Sequence, residues 1–227
     1  MSDIKIFVTH TPNCDTMNIN NALFYNVIAG SDFQTKKVPE GVYQDNQGEN
    51  ISSLNKSFCE LTTQYWAWKN MQADYYGFCH YRRFFSFSEN AIKETSWGTI
   101  EYDYLDQKTI AELSLNEKNM QAYIEKYDFL IAKGIDTSSM NAKNVYDHYK
   151  KAPELHIEDV ELFLKIIDEK YPYLSETARE LFAGHTFYPC NMFIAKKEVF
   201  EDYSKILFDV LGEFEKLPNR YNGGGTN

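Results

Sequence analysis

The residues of this chain that are best suited to chemistry are one histidine and two neighbouring arginines. They follow residues 75–78 (Tyr-Tyr-Gly-Phe), which have the composition of a parallel strand that is buried on both faces. Open α/β sheets bind ligands in the crevice outside the carboxyl ends of their strands. Arg82 and Arg83 offer planar guanidinium groups that match phosphate oxygens, and His80 adds a donor whose charge is tuned near neutral pH. The sequence therefore predicts a phosphate or diphosphate site at this strand end.

The alternative is that the arginine pair is simply solvated, or paired with nearby acidic side chains, as on many surface loops. In this chain the pair lies between Tyr81 and the aromatic residues Phe84, Phe85 and Phe87. That setting differs from a solvated run of charge. The flanking rings favour a partly enclosed wall over an open surface.

Length and composition limit the classes of protein to which the chain can belong. Its 227 residues suit one sizeable α/β domain, or one domain with a small appendage, and residues 1–227 are expected to form a single domain. The net charge of −10 argues against nucleic acid as a partner, because binding to its phosphate backbone relies on clustered lysines and arginines. Aromatic residues make up 16% of the chain, and their large contact area combined with polar handles suits the binding of sugars.

The cysteines and the apolar pattern indicate a cytoplasmic location. The four cysteines are far apart and include no Cys-x-x-Cys pair, so zinc and thioredoxin-like motifs are absent and reduced thiols are expected. The first ten residues lack the regions of a signal peptide, and no run of 18 apolar residues exists. We expect a cytoplasmic protein that can associate peripherally with membrane-bound biosynthetic enzymes.

Apolar periodicity gives the expected order of elements. Strands are predicted over residues 4–8, 75–78, 127–132 and 187–194. Helices are predicted over residues 54–72, 107–113, from residue 116, and over 145–149, 158–169 and 198–217. Residues 26–50, rich in Gly, Asn, Asp and Gln, are expected to form a long loop. Strands that alternate with helices indicate an α/β fold with a mostly parallel, twisted sheet flanked by helices.

Three segments carry long and unusual motifs. Residues 60–70 read Glu-Leu-Thr-Thr-Gln-Tyr-Trp-Ala-Trp-Lys-Asn, residues 77–83 read Gly-Phe-Cys-His-Tyr-Arg-Arg, and residues 188–193 read Tyr-Pro-Cys-Asn-Met-Phe. With these motifs the chain resembles, over residues 4–217, a bacterial family of capsular and exopolysaccharide biosynthesis proteins known as domain of unknown function 4422. The resemblance implies a glycosyltransferase with a GT-A-like, Rossmann-like fold. Galactofuranose is the first sugar to test, because the family includes members linked to its transfer.

The resemblance also implies how the donor is held. In many GT-A enzymes the strand that corresponds to residues 75–78 ends in a DxD motif, whose carboxylates bind a divalent metal on the diphosphate. This chain carries His80, Tyr81 and Arg82 there, whereas a hard cation such as Mg²⁺ prefers oxygen ligands. We therefore expect His80, Arg82 and Arg83 to neutralise the diphosphate and stabilise the leaving group directly. The expected reaction is metal-independent transfer from a UDP-sugar, without a cofactor, to a surface polysaccharide or lipid-linked glycan.

Further residues are candidates for binding the donor. His10 ends the first strand, where nucleotide-sugar enzymes place residues that contact the base, and Tyr81 belongs to the central motif. Asn55 could contact the base or ribose, and a plain turn is the alternative there. Asn191, with His185 just upstream, belongs to a stretch that in GT-A folds lines the donor sugar or the acceptor.

Glu60 and Lys69 are candidates on the helix predicted over residues 54–72. They are nine residues apart, which places them about 180° apart around a helix, so only one of them can face the crevice. The alternative is that the aromatic residues of this helix pack in the core and that Glu60 pairs with an arginine.

An inverting transferase also needs a carboxylate near the acceptor hydroxyl. In the family, a Glu-Arg-Leu stretch follows an arginine beyond the last helix. Arg220 matches that arginine, but the stretch itself is missing, so the chain is expected to be truncated there. The alternative is that the acceptor chemistry uses another group, such as Glu60 or Asp128. The alternative function is a non-catalytic domain that binds a sugar nucleotide or a glycan.

Overall fold

The computed structural model describes residues 1–14, 19–95 and 98–216. The chain forms two compact units. The first comprises Met1–Lys133 and Cys190–Ser204, and the second comprises Gly134–Pro189 and Lys205–Asn227. The single domain that was expected from chain length stays a prediction.

The described part of the chain contains eight strands and eight α-helices. The strands are β1 (Ile4–His10), β2 (Phe24–Ile28), β3 (Tyr43–Gln44), β4 (Tyr75–His80), β5 (Phe129–Ile131), β6 (Ile135–Asp136), β7 (Thr186–Phe187) and β8 (Phe193–Lys196). The helices are α1 (Asn55–Phe58), α2 (Leu61–Asn70), α3 (Gln107–Glu112), α4 (Glu117–Ile124), α5 (Val145–Lys151), α6 (Ile157–Lys170), α7 (Ser175–Ala183) and α8 (Lys197–Glu215). The amphipathic helix predicted over residues 158–169 is confirmed as α6.

A six-stranded sheet with the order β3-β2-β1-β4-β8-β5 forms the centre of the first unit. The β1–β2, β2–β3 and β1–β4 pairs are parallel, and β8 runs antiparallel to both β4 and β5. The predicted α/β fold with a mostly parallel sheet is thus confirmed. The chain moves outward from β1 to β2 and β3, and then places β4 on the other side of β1. The strand order therefore reverses between β1 and β4, which is where open α/β sheets bind ligands.

Apolar side chains on the two faces of this sheet build two buried clusters, which make the first unit three layers thick. One cluster joins strand residues to the segment from α3 to α4, and its members include Ile4, Ile6, Val8, Leu115, Met120 and Ile124. The other joins the opposite face to α2 and to the start of α8, and its members include Phe7, Tyr76, Phe78, Trp66 and Phe200. The rings of Tyr76 and Phe200 stack with centroids 4.3 Å apart. Burial on both faces explains why the β4 sequence is almost continuously apolar.

The second unit holds the two-stranded antiparallel sheet of β6 and β7 and helices α5, α6 and α7. Its core centres on Ile166, Ile167 and Val210. Lys170 at the end of α6 contacts the carboxylates of Asp209 and Glu213 at 2.7 and 2.8 Å. Helix packing and this ion-pair network tie the end of α6 to the second half of α8.

Two predictions in the first part of the chain are wrong. The loop predicted over residues 26–50 contains the end of β2 and all of β3. Asn26 suggested a loop, but it is buried in β2 because its side chain hydrogen-bonds to His10. The single helix predicted over residues 54–72 is divided into α1 and α2, because Cys59 takes a positive φ of 47°. That conformation is costly for a residue with a side chain and interrupts the helix.

The strand predicted over residues 187–194 is also wrong. Residues 188–192 separate β7, which pairs with β6, from β8, which joins the main sheet. Pro189 has no N–H to donate to a sheet ladder, which disfavours a continuous strand. The helix predicted over residues 198–217 is α8, which begins at Lys197. Residue 217 and the candidate Arg220 lie outside the described residues.

Candidate functional site

The carboxyl end of β4 turns back sharply at Tyr81 and Arg82. The His80 N–H donates to the Arg83 carbonyl at 3.2 Å, and the Arg83 N–H donates to the His80 carbonyl at 3.0 Å. Tyr81 and Arg82 therefore occupy the corners of a tight turn. The Tyr81 N–H also donates to the Thr9 carbonyl of β1 at 3.0 Å. These bonds fix the turn at the point where the strand order reverses.

The two arginines of this turn are exposed, and no acidic side chain among the described residues pairs with them. Within residues 1–14, 19–95 and 98–216, neither Arg82 nor Arg83 forms an ion pair or a side-chain hydrogen bond. The Arg82 guanidinium lies 5.3 Å from the centroid of the Tyr81 ring. Arg179 in the second unit is bound by Asp168, with an N–O distance of 2.8 Å. Two free guanidinium groups side by side in an acidic chain are suited to holding an anion.

His80 is half-buried at the start of the turn, and its environment favours the neutral imidazole. Burial lowers the pKa of His80 below its ordinary value, Glu60 opposes this shift, and Arg83 and Arg82 lower the pKa further. Glu60 immediately precedes α2 and is half-buried. The charges of Glu60, Arg82 and Arg83 thus all act on the pKa of His80, and the catalytic roles of these four residues stay predictions.

Asn191 lies on the other side of β4 from β1. Phe78 and Phe193 form the last pair of the antiparallel β4–β8 ladder. Asn191 precedes Phe193 by two residues, so it lies just beyond that ladder at the edge of the sheet where β4 ends. The Asn191 Nδ2 donates to the Gln64 Oε1 at 3.4 Å. Gln64 was not predicted as a site residue. Its spacing of four residues from Glu60 places both on one face of a helix, and that spacing is a signal that could have identified it.

His10 ends β1 and is completely buried. Its Nε2 lies 2.9 Å from the Asn26 Oδ1, and because that oxygen can only accept, Nε2 carries the proton. Nδ1 has no hydrogen-bond partner in the described part of the chain. Burial lowers the pKa of His10, and the bond to Asn26 opposes this shift. The Tyr81 ring stacks against the imidazole, so the buried His10 packs against one face of the Tyr81 ring.

Lys69 and Asn55 are engaged in structural contacts. The Lys69 Nζ lies 3.5 Å from a Glu49 carboxylate oxygen and 3.7 Å from the centroid of the Trp68 ring. It belongs to the last turn of α2, at the opposite end from Glu60. The Asn55 Nδ2 donates to the Cys59 carbonyl at 2.8 Å and so joins α1 to the start of α2.

His185 lies on the exposed surface of the second unit. Its carbonyl accepts a hydrogen bond from the Thr137 N–H at 2.8 Å. The predicted role of His185 in binding the donor stays a prediction. The same holds for the roles of the residues in the first unit.

Within the described residues, no three His, Cys, Asp or Glu side chains gather in an arrangement that could hold a metal ion. Helices in this part of the chain are all too short or too polar to cross a membrane.

Comparisons with known proteins identify the family and the fold. Residues 5–222 match the family described as domain of unknown function DUF4422. The apo structure of WbbM, a bifunctional glycosyltransferase, matches with a TM-score of 0.90 and 34% sequence identity. The match covers 97% of this chain and 39% of that one, and it confirms the predicted GT-A-like fold. No curated protein sequence matches significantly. The chain belongs to the DUF4422 family, as its three motifs predicted.

Proposed function

We propose that this chain is a glycosyltransferase that uses a UDP-sugar donor, with galactofuranose as the first candidate sugar. The observation that carries the proposal is the pair of guanidinium groups of Arg82 and Arg83, which follow His80 at the carboxyl end of β4 and form no ion pair with the described residues. The likeness to a solved glycosyltransferase supports it. The acceptor is a surface polysaccharide or a lipid-linked glycan, which the protein reaches by peripheral association with membrane-bound enzymes of the same biosynthesis.

The turn after β4 supplies the charge that the leaving group needs. During transfer, the bond between the anomeric carbon of the sugar and the phosphate oxygen breaks, and negative charge grows on the departing UDP. Arg82 and Arg83 donate hydrogen bonds to the phosphate oxygens, and charge-assisted bonds of this kind are short and strong. His80 donates a further bond and takes up a proton as the anion binds. Fixed cations at the developing charge perform the work that a metal ion performs in many related enzymes.

Glu60 is the proposed general base. The residue is half-buried, and its carboxylate raises the pKa of His80. In this role Glu60 takes the proton of the acceptor hydroxyl as that oxygen attacks the anomeric carbon. Asp128 is less suited to this role. Its side chain contacts the Lys196 ammonium at 2.5 Å, and Lys196 pairs with Tyr75 at the amino end of β4, the opposite edge of the sheet from His80.

The order of the strands is the basis for the proposed orientation of the donor along the edge of the sheet. If the diphosphate lies at the end of β4, the nucleoside and the sugar lie over its two neighbours, β1 and β8. The β1 side offers the partly buried ring of Tyr81, which stacks on His10, and an aromatic ring is a suitable platform for a base. The β8 side offers Asn191. The nucleoside is therefore assigned to β1 and the sugar to β8.

A transfer assay in EDTA tests this proposal. The protein is incubated with UDP-galactofuranose and a lipid-linked glycan, and both UDP release and the mass of the acceptor are followed. We expect UDP release together with a gain of one hexose residue on the acceptor, unaffected by EDTA. Tight binding of UDP-galactofuranose without release of UDP, across a panel of acceptors, would contradict the proposal and favour a non-catalytic sugar-nucleotide-binding domain.

A further inference from the structure

A glutamine in the middle of α2 is buried where the sequence pattern would favour an apolar residue. Gln64 has no solvent exposure and lies next to the buried Trp66 and Ala67. Burying an unpaired carboxamide is costly, and here both ends are bonded. The Nε2 donates to the Ser204 Oγ at 3.3 Å, and the Oε1 accepts from Asn191 at 3.4 Å. The three side chains form a chain of hydrogen bonds.

This chain of hydrogen bonds starts in the interior and ends at the candidate site. Ser204 is completely buried, whereas Asn191 is only half-buried and lies just beyond the β4–β8 ladder, at the edge of the sheet where β4 ends in His80. Asn191 also precedes β8 and has no regular ladder bonds of its own to hold it. Its side chain makes one hydrogen bond in the described structure, and that bond is to Gln64. The orientation of the Asn191 carboxamide therefore depends on Gln64.

We infer that Gln64 is a positioning residue for the sugar subsite. It holds the Asn191 carboxamide so that the remaining polar groups of Asn191 face a hydroxyl-bearing ring placed over β8. This inference rests on the proposed function, because it takes the ligand to be a nucleotide sugar with its diphosphate at Arg82 and Arg83. It goes beyond that function by separating the recognition of the sugar from the recognition of the nucleotide.

Thr63, the neighbour of Gln64, provides a matched control. It is also completely buried in α2, and its Oγ1 has no hydrogen-bond partner in the described part of the chain. Thr63→Val thus removes a buried polar atom from the same helix without breaking a hydrogen bond. Gln64→Met removes the polar ends of the side chain while keeping its length, so that packing is preserved as far as the chemistry allows.

The experiment measures the affinities of UDP and UDP-galactofuranose by calorimetry in EDTA for the wild type, Gln64→Met, Asn191→Ala and the double variant. The gain from the sugar is defined as the affinity for UDP-galactofuranose divided by the affinity for UDP. In Gln64→Met this gain should fall by roughly fivefold, with the affinity for UDP unchanged, because about one hydrogen bond to the sugar is lost. Asn191→Ala should cause the same selective loss.

The double variant should lose no more than Asn191→Ala alone, because Gln64 acts through Asn191. Thr63→Val should keep the wild-type gain.

Two kinds of failure are distinguishable. A wild-type protein that binds neither UDP nor UDP-galactofuranose overturns the proposed function itself. A wild-type protein that binds UDP but gains nothing from the sugar overturns only the present inference. So does a Gln64→Met protein that loses affinity for UDP and UDP-galactofuranose equally, because a general loss of structure would act on both. If Gln64→Met does not fold, an unchanged gain in Asn191→Ala would overturn the inference on its own.

Discussion

The imidazole of His10 and the ring of Tyr81 stack with centroids 5.9 Å apart and planes 29° from parallel. His10 ends β1 and Tyr81 follows β4, so this contact joins the two strands between which the order of the sheet reverses. It ties the turn that carries Arg82 and Arg83 to the core. The position of the cationic turn therefore depends on a buried, neutral histidine.

Stability should decrease on acidification because His10 must be neutral to stay buried. The pKa of His10 is lowered in the folded protein, so the unfolded chain binds more protons as pH falls below the ordinary value of 6.5. The contribution of His10 to the free energy of unfolding should be fully present above that pH. It should decrease as pH falls towards the pKa of His10 in the folded protein. His10→Gln should flatten this dependence in denaturant unfolding between pH 5 and 7.5. His185→Gln, at an exposed position of the second unit, serves as the control substitution. Equal slopes in all three proteins would contradict this role of His10.

Removing either arginine of the turn should weaken the binding of UDP. A charge-assisted hydrogen bond is worth about 1.5–3 kcal/mol, so Arg82→Ala and Arg83→Ala should each lower the affinity by roughly ten- to a hundredfold in calorimetry. Arg179→Ala is the matched control, because that guanidinium is already bound by Asp168 in the second unit. It should bind UDP like the wild type. An Arg82→Ala, Arg83→Ala double variant with wild-type affinity would contradict the assignment of the turn to the diphosphate.

Binding of UDP should take up a proton at His80. In the free protein the pKa of His80 is lowered by burial and by the two arginines. A diphosphate that neutralises those arginines and adds negative charge raises this pKa, so the affinity should increase as pH falls through the pKa of the bound state. Calorimetry near pH 6.5 in buffers of different ionisation enthalpy measures the proton uptake directly. His80→Gln should abolish it, and an uptake that persists in this variant would assign the proton to another group.

Glu60→Gln should reduce turnover and leave the affinity for UDP intact. The loss of a general base costs about 10²–10⁴ in rate. The same change should lower the pKa of His80 further, because the Glu60 carboxylate raises it, and an NMR titration of the imidazole checks this. Glu49→Gln is the control, since that carboxylate pairs with Lys69 at the other end of α2. Unchanged turnover in Glu60→Gln would exclude Glu60 as the base.

A pair of glycine substitutions tests whether Asn55 is a structural residue. Gly30 has a φ of +68°, and a Cβ there would lie 2.5 Å from the Asn55 Cγ, whereas Gly41 has a φ of +79° with open space around it. Gly41→Ala should cost about 1 kcal/mol of stability for the backbone alone. Gly30→Ala should cost roughly 1–3 kcal/mol more, measured by denaturant unfolding, because the clash adds to the strain. Equal losses of stability in the two variants would show that the Asn55 side chain moves away from the added Cβ without a cost in free energy.

The sequence alone predicted the parts of the site that lie on one continuous segment. His80, Arg82 and Arg83 follow a strand that its apolar run made recognisable, so their place at a sheet edge followed from local pattern. Gln64 escaped prediction because its partners, Asn191 and Ser204, are more than 120 residues away in the chain. No local pattern encodes such a pairing.

The errors in the predicted elements have a similar physical origin. The side chains of Asn26 and His10 form a hydrogen bond inside the sheet. Asn26, a polar residue that suggested a loop, therefore lies in a strand. The break at Cys59 depends on the packing of α1 and α2, which overrides the helix-favouring composition of residues 54–72. The antiparallel direction of β8 likewise follows from tertiary topology, which strand-like composition does not specify.

Titration of the wild-type protein with UDP, first in EDTA and then with Mn²⁺, tests the central claim most directly. If Arg82, Arg83 and His80 neutralise the diphosphate, UDP binds in EDTA and Mn²⁺ leaves its affinity unchanged. Binding that requires Mn²⁺, or no binding in either condition, would contradict the account.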